Sequence, residues 1–332
     1  MSIAREDSPP PGARGELRAA VVGAGRLGAF HAQKYAVLDG VRLTHVVDPD
    51  GARARAVAAA TGAIPIADYR ELAGRVDLAS VAAPGSLHHA IAAGLMAAGI
   101  DVLVEKPMAA TLAEARDLQA IAARSGRILQ VGHLERFNPA VVRLRTIVTA
   151  PRFIECHRLA PFTERGIDVD VVLDLMVHDL DVILSVAPGR AVIAVEAVGV
   201  AVLTDQIDVA NARIRFAGGL IANLNTSRVA PRRERKIRFF QPDAYISVDY
   251  EARRIQVYRK SPPAPGGTFP VISAEQIDLG DADPLMDEIA AFTACVRTRA
   301  APPVTADDGL RVMELSDRIR VAMETEAGAA HA

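Results

Sequence analysis

Apolar residues follow two different rhythms along this chain. From Leu17 to about His133, short apolar runs alternate with Ala-rich helical segments. The runs are RAAVVG, VRLTHVVD, AIPIA, VDLASVAA, DVLVE and RILQVG. The segments between them close on Gly40, Gly62, Gly99 and Gly126, as helix C-caps do. Helix starts are marked as well. Thr111 and Glu114 have capping-box spacing, Asp68 and Glu71 repeat it, and Ser86 can cap the helix after the fourth strand. Continuous apolar strands alternating with helices predict a parallel, doubly wound α/β sheet.

Past residue 150 the rhythm changes. The pattern predicts one long helix from Asp170 to Val186, then longer strand-like runs: AVIAVEAVGVAVL, DVANARIRF, GLIANLNTSR, RKIRFFQ, AYISVDY and RRIQVYR. FAGGLI and DYEARR read as hairpin connections, so this part is an α+β domain built on an antiparallel sheet. Helices over 284–298 and 306–325 end the pattern. The expected division is a disordered lead over 1–16, rich in Pro, Gly and charge, a first domain over 17–136 and a second over 137–328.

Composition narrows the partners. The 332 residues suggest about two domains, and 50% hydrophobic with 23% charged residues supports packed cores. A net charge of −2 gives no basic excess for nucleic acid. The two cysteines, Cys156 and Cys295, form no disulfide framework or CxxC metal motif, which fits a reducing cytoplasm. No apolar run approaches the ~18 residues that span a bilayer, and the first residues lack a secretory apolar core.

The first chemical motif follows the first strand. Gly23-Ala24-Gly25-Arg26-Leu27-Gly28 is a G-x-G-x-x-G between strand and helix, and Asp48 ends the next strand 20 residues after Gly28. That combination marks a Rossmann dinucleotide site. Gly23 makes the tight turn, Gly25 lets a pyrophosphate approach the backbone, and Gly28 packs helix on sheet. The loop residues Arg26 and Leu27 lie at the helix N-terminus, which favours anions. Asp48 can bind a ribose and would repel a 2′-phosphate, so NAD is favoured over NADP.

The second motif is a polar stripe on an apolar helix. Asp170, Asp174, His178, Asp181 and Ser185 are spaced 4, 4, 3 and 4, which puts them on one helical face. Asp174 and His178, one turn apart, could hold a substrate hydroxyl, with His178 as general base. The stripe could equally be satisfied by the protein itself. A metal site from Asp174, His178 and Asp181 lacks a further His or Cys cluster, and no metal is expected. A third feature is the end of the fifth strand, Glu105-Lys106-Pro107, where a cis Lys106–Pro107 bond is expected.

With GAGRLG, APGSLHHA, EKPMA, GHLERFNPA and LDLMVHDLD in this order, the chain resembles the glucose–fructose oxidoreductase / inositol dehydrogenase / MocA (Gfo/Idh/MocA) family over about residues 18–325. The resemblance implies a Rossmann domain plus a C-terminal domain with a large, open, mainly antiparallel sheet. It implies NAD(P)-dependent oxidation of a hydroxyl to a ketone on a sugar or cyclitol. Lys106, Asp174 and His178 match the family's catalytic positions. Glu105, Ala83, Pro84 and His88 match cofactor positions, although Ala83 and Gly85 depart from the commoner Thr and Asn. A narrower resemblance, carried by GHLERFNPAV, HDLD and NTSRVAPRRERKIRFFQPDAYISVDY, is to bacterial members acting at C3 of UDP-N-acetylglucosamine, on the route to a lipid A with a 2,3-diamino sugar. By that resemblance the partner is a nucleotide sugar, with Arg136, Asn138, Arg228 and Arg232 as substrate-facing positions. The run SRVAPRRERK could meet a diphosphate or be a solvated strand end. The family also suggests a homodimer or homotetramer through the C-terminal sheet. Two alternatives stand beside this reading: a free-sugar or cyclitol dehydrogenase, and a non-catalytic NAD-binding regulator on the same fold.

Overall fold

The computed structural model describes residues 15–164 and 169–329. Most of the proposed disordered lead, residues 1–14, lies outside the described residues. Two compact units are present. One comprises the chain up to Leu134 with Asp283–Leu310; the other comprises Glu135–Ala282 with the chain from Arg311 onward.

The first unit alternates strand and helix. Its elements are β1 (Leu17–Val22), α1 (Arg26–Val37), β2 (Val41–Val47), α2 (Gly51–Thr61), β3 (Ile64–Ile66), β4 (Leu78–Val81), α3 (His88–Ala97), β5 (Asp101–Glu105), α4 (Leu112–Ser125) and β6 (Leu129–Gly132). The six strands form one parallel sheet in the order β3-β2-β1-β4-β5-β6. The order reverses between β1 and β4, the switch point at which such sheets bind ligands. Most of the punctuation reads true. Gly62 and Gly126 take left-handed C-cap conformations, and Thr111 and Glu114 form a reciprocal capping box. Asp68 caps a single 3₁₀ turn over Tyr69–Leu72. Ser86 does not cap the helix after β4: it lies inside a 3₁₀ turn, Gly85–Leu87, that precedes α3.

The second unit holds α5 (Pro139–Ile147), β7 (Phe153–Leu159), a π-helical turn over Val172–Met176, α6 (Val177–Val186), and β8 (Val192–Val200), β9 (Val209–Phe216), β10 (Ile221–Ser227), β11 (Glu234–Gln241), β12 (Ala244–Asp249), β13 (Arg254–Ser261) and β14 (Val271–Asp278). The eight strands run in the order β14-β13-β12-β11-β7-β10-β9-β8, and only β7 with β10 is parallel. One face is the core. Ile154, Cys156, Leu224, Ile237, Phe239 and Ile246 are buried there with Met176, Leu180 and Ile183. The other face carries a row of aromatic rings, Phe153, Phe240, Tyr245 and Tyr258, with successive centroids 5.4, 5.1 and 5.8 Å apart.

The units are not the two contiguous stretches that the sequence pattern suggests. Helix α7 (Pro284–Thr298) belongs to the first unit, although it lies far beyond residue 136. Its Ile289, Phe292 and Val296 share a core with Leu17, Tyr35 and Leu103. An i, i+3, i+7 apolar stripe announces that a helix covers a sheet, but not which sheet. A second helix, α8 (Ala306–Ala329), follows it.

Because Phe292 is fully buried in that core, Phe292→Ala should cost about 3–5 kcal/mol of stability. Denaturant unfolding should show the loss in the transition that reports the first unit. A near-neutral result would separate α7 from that core.

Candidate active site

The glycine loop follows β1. Gly23 has φ of 100°, and a Cβ there would lie 2.6 Å from the Ala82 carbonyl oxygen. At Gly28 a Cβ would lie 1.8 Å from the Gly23 carbonyl oxygen, so no other residue allows α1 to start this close to the loop. Gly25 is the N-cap of α1, no side chain caps it, and a Cβ there would meet nothing within 4 Å. The first N–H groups of α1 therefore stand beside open space, which fits an anionic pyrophosphate. Arg26 and Leu27 are exposed in this first turn, and the Arg26 guanidinium sits 5.6 Å from the Phe30 ring centroid.

Asp48 follows β2 and is buried. Its Oδ2 accepts from the Ala24 N–H at 2.8 Å, Oδ1 accepts from the Asp50 N–H at 2.8 Å, and Arg53 Nη2 lies 3.4 Å from Oδ1. So the carboxylate braces the glycine loop, a role on which the sequence motif is silent.

Glu105 ends β5, and the Lys106–Pro107 bond is cis, as the sequence suggests. Lys106 is half-buried, as is Ala83, and Pro84 is exposed. His88 is fully buried instead. Its Nδ1 lies 2.7 Å from the Pro107 carbonyl oxygen and its Nε2 lies 2.8 Å from the Ala83 carbonyl oxygen. The ring thus ties together the loops after β4 and β5. Sequence reasoning missed His31, on α1, which meets the Glu105 carboxylate at 2.9 Å.

In the second unit the expected single helix is interrupted. A π-helical turn carries Asp174, and the α-helix carrying His178 starts only at Val177. The wider turn breaks the even 3.6-residue stripe, so its members meet different surroundings; such turns recur at functional sites. Asp170 is buried and caps the turn: Oδ1 accepts from the N–H groups of Val172 and Leu173, each at 3.0 Å, and Oδ2 accepts from Arg320 Nε at 2.8 Å. Asp181 is fully buried against Arg136, whose Nε donates to it at 2.7 Å. Asp174 and His178 are half-buried, unlike the buried Asp170 and Asp181.

Two ion pairs hold the turn of α6 that follows His178. Arg136 grips Asp181, and Arg158 on β7 donates to both oxygens of Asp179, at 2.8 and 2.9 Å, while lying 3.4 Å from Glu135. Burial opposes the Arg158 charge, but Asp179 and Glu135 more than offset it and push the guanidinium pKa up. Burial first, then the nearby Glu135 and Asp179, pushes the Tyr250 hydroxyl well above its ordinary value.

These contacts redistribute the positions assigned to substrate. Arg136 is only 7% exposed and engaged with Asp181, and Asn138 caps α5 by accepting from the Ala140 N–H at 3.0 Å. Arg228 is buried: Nη2 donates to the carbonyls of Val169 at 2.5 Å and Ile207 at 3.2 Å, and Nε lies 3.4 Å from Asp208. Burial alone would raise the Asp208 carboxyl, but N–H groups of Thr204, Val202 and Leu203 and the Thr204 hydroxyl hold it down at about 2. Of the run after β10, Arg232 and Arg233 are exposed, and burial followed by the Arg158 charge lowers the pKa of Arg235. Buried arginines near a strand end read like exposed ones in sequence, which is why Arg228 and Arg232 look alike there. Among the described residues, no group of three or more His, Cys, Asp or Glu could hold a metal ion.

Removing Arg136 would strand the Asp181 carboxylate in the core. Arg136→Ala should therefore destabilise the second unit by about 3–5 kcal/mol, read by denaturant unfolding. A loss of substrate affinity with stability intact would instead make Arg136 a binding residue.

Comparison with known proteins agrees with this architecture. Residues 17–133 match the model of the oxidoreductase family with an NAD-binding Rossmann fold, and residues 141–247 match the GFO/IDH/MocA C-terminal domain. The UDP-N-acetylglucosamine 3-dehydrogenase of Acidithiobacillus ferrooxidans is 38% identical over 314 residues, 93% of this chain and 97% of that protein. Its solved structure superposes with a TM-score of 0.86 at 36% identity, covering 93% of this chain and 98% of that one. An inositol 2-dehydrogenase of Leifsonia xyli is 32% identical over 191 residues, 54% of this chain and 56% of that protein. The scyllo-inositol dehydrogenase of Lactobacillus casei, solved with NAD(H) and scyllo-inositol, shares the fold at 17% identity and a TM-score of 0.78, over 93% of this chain and 97% of that one. No helix among the described residues is long and apolar enough to cross a membrane. Both halves of the chain thus carry the same signature, and the chain belongs to the Gfo/Idh/MocA family of NAD-binding oxidoreductases.

Proposed function

We propose that this protein is an NAD-dependent dehydrogenase that oxidises the C3 hydroxyl of UDP-N-acetylglucosamine to a ketone. The observation that carries the substrate is the match to the A. ferrooxidans enzyme of that name, which runs through 93% of this chain and 97% of that one. The inositol dehydrogenase from L. xyli matches over only 54% of the chain. On this reading the residues act as follows. The α1 N-terminus with Gly23, Gly25 and Gly28 holds the cofactor pyrophosphate, and Asp48 holds the adenosine ribose. Bound NAD supplies the hydride acceptor. His178 accepts the hydroxyl proton, and Asp174, one turn before it, orients the imidazole or a neighbouring hydroxyl. Lys106 donates to the substrate oxygen and stabilises the negative charge that develops there. Arg232, exposed where Arg228 is buried, is the cation of that pair left for the diphosphate.

Purified protein with NAD should raise absorbance at 340 nm with UDP-N-acetylglucosamine, and not with N-acetylglucosamine or myo-inositol. His178→Ala should lower kcat by roughly 10²–10⁴ while still binding NAD, the usual cost of a lost general base. Near-full turnover in that variant would remove His178 from the mechanism. Turnover of myo-inositol in place of the nucleotide sugar would move the protein to cyclitol chemistry.

Asp48 carries the cofactor preference. Its charge disfavours a 2′-phosphate, so kcat/KM should be higher with NAD than with NADP. Asp48→Ser should narrow that ratio, although the lost brace on Ala24 will weaken both cofactors. An unchanged ratio would place the discrimination elsewhere.

A further inference from the structure

The residues on both sides of Lys106 are each gripped by a buried histidine. On the N-terminal side, the Glu105 carboxylate meets His31 Nε2 at 2.9 Å through Oε1, and accepts the Lys106 N–H at 3.3 Å through Oε2. On the C-terminal side, the Pro107 carbonyl oxygen lies 2.7 Å from His88 Nδ1. His31 and His88 are 0% and 1% exposed, so neither ring can reach a substrate or cofactor.

Each grip has an anchor behind it. His31 Nδ1 lies 3.1 Å from Ser80 Oγ, which is 2.9 Å from the Tyr35 hydroxyl, and all three residues are fully buried. The partners assign the tautomer. An Nε2–H donating to the Glu105 carboxylate leaves Nδ1 to accept from Ser80, which in turn accepts from Tyr35. His88 Nε2 lies 2.8 Å from the Ala83 carbonyl; the neutral ring has one N–H, so it donates to one of its two carbonyl neighbours and packs against the other, lodged between the loops after β4 and β5. Glycines close the remaining sides. A Cβ at Gly132 would lie 2.9 Å from the Glu105 carboxyl carbon, and one at Gly85 would lie 3.3 Å from Pro107 Cγ.

A hydrophobic side chain of similar size could fill either space. It would leave Glu105 and Ser80, or the backbone carbonyl that takes the His88 N–H, without a buried partner. Imidazole is suited to the task because its two nitrogens point in opposite directions from a rigid ring, so one end can be anchored while the other holds.

We infer that His31 and His88 are positioning residues that clamp the Glu105–Lys106–Pro107 turn from both sides and set where the Lys106 ammonium points. His88 thus acts through the loop rather than by touching the cofactor. The inference rests on the reading of Lys106 as donor to the substrate oxygen.

The test compares Lys106→Ala, His31→Leu, His31→Gln, His88→Leu and His88→Gln in the full chain. Steady-state kinetics with NAD and UDP-N-acetylglucosamine is set beside the Kd for NAD and a crystal structure of each variant without cofactor. The leucine variants should lose about 10²-fold in kcat, the scale of a 1 Å misplacement, with the Kd for NAD unchanged. Lys106 should be displaced or split between conformers in their crystals, and glutamine, which keeps an N–H donor, should restore much of the rate. If a leucine variant does not fold, glutamine is compared with asparagine, whose amide is too short to reach; loss of kcat in asparagine alone supports the clamp. Wild-type kcat in the histidine variants, alongside a dead Lys106→Ala, overturns it. So does a joint loss of kcat and NAD affinity that glutamine does not repair. Full turnover in Lys106→Ala is a different failure: it removes the catalytic reading of Lys106, and the clamp's purpose with it.

Discussion

Six parallel strands must all end on the same edge, and the first unit is organised by that constraint. Four of the candidate positions sit just past a carboxyl end: Gly23 after β1, Asp48 after β2, Ala83 after β4 and Lys106 after β5. Strand interiors buried by helices on both faces favour apolar side chains, so the strands read as mainly apolar runs, with a few partnered polar residues such as Ser80. The reversal of order between β1 and β4 opens the edge where the glycine loop lies. Close packing then makes the loop sequence unforgiving. A Cβ at Gly28 would occupy the space of the Gly23 carbonyl, and one at Gly23 the space of the Ala82 carbonyl. The motif is therefore as much a packing requirement between strand, loop and helix as a phosphate site.

A second constraint governs both units: a buried polar group needs a partner. Near His178 this gives two arginine–carboxylate pairs holding successive parts of α6. Near Lys106 it gives a line of hydrogen bonds from Tyr35 to Glu105. Burial and a hydrogen bond pull the Tyr35 hydroxyl in opposite directions, and burial wins, so its pKa rises. A group held protonated in this way is a dependable donor, and Ser80 receives it. In both places the candidate residue is half-buried and its supports are buried. Rigid support beneath a partly open side chain is what positioning to within a fraction of an ångström asks of a protein.

Much of this was legible in the sequence, and what was not has identifiable causes. The six strands of the first sheet and the capping box at Thr111 are local patterns, and each survives intact; the glycine loop and Asp48 follow β1 and β2 as their spacing predicts. The pairing of elements distant in sequence is not local. Hence α7, with an ordinary apolar stripe, could not be assigned to the first unit by its position in the chain. An even helical period puts the residues from Asp170 to Ser185 on one stripe. One π turn redistributes it into a cap, a half-buried pair and a buried ion-pair partner. His31 left no signal of its own, because a lone histidine in an Ala-rich helix looks like any tolerated polar residue.

The arginines make the same point about charge. Arg136, Arg158, Arg228 and Arg232 are equivalent as letters, yet the first three are buried beside carboxylates and the fourth is exposed. A buried guanidinium matched to Asp181, Asp179 or Asp208 is committed, since any ligand phosphate would have to displace a partner already desolvated beside it. An exposed one is free to exchange water for an anion at little cost. Affinity for a diphosphate therefore follows from which arginines the fold has left unspent rather than from how many the sequence contains. Glu105 belongs with the committed groups: its buried carboxylate is held by His31 and by the Lys106 N–H.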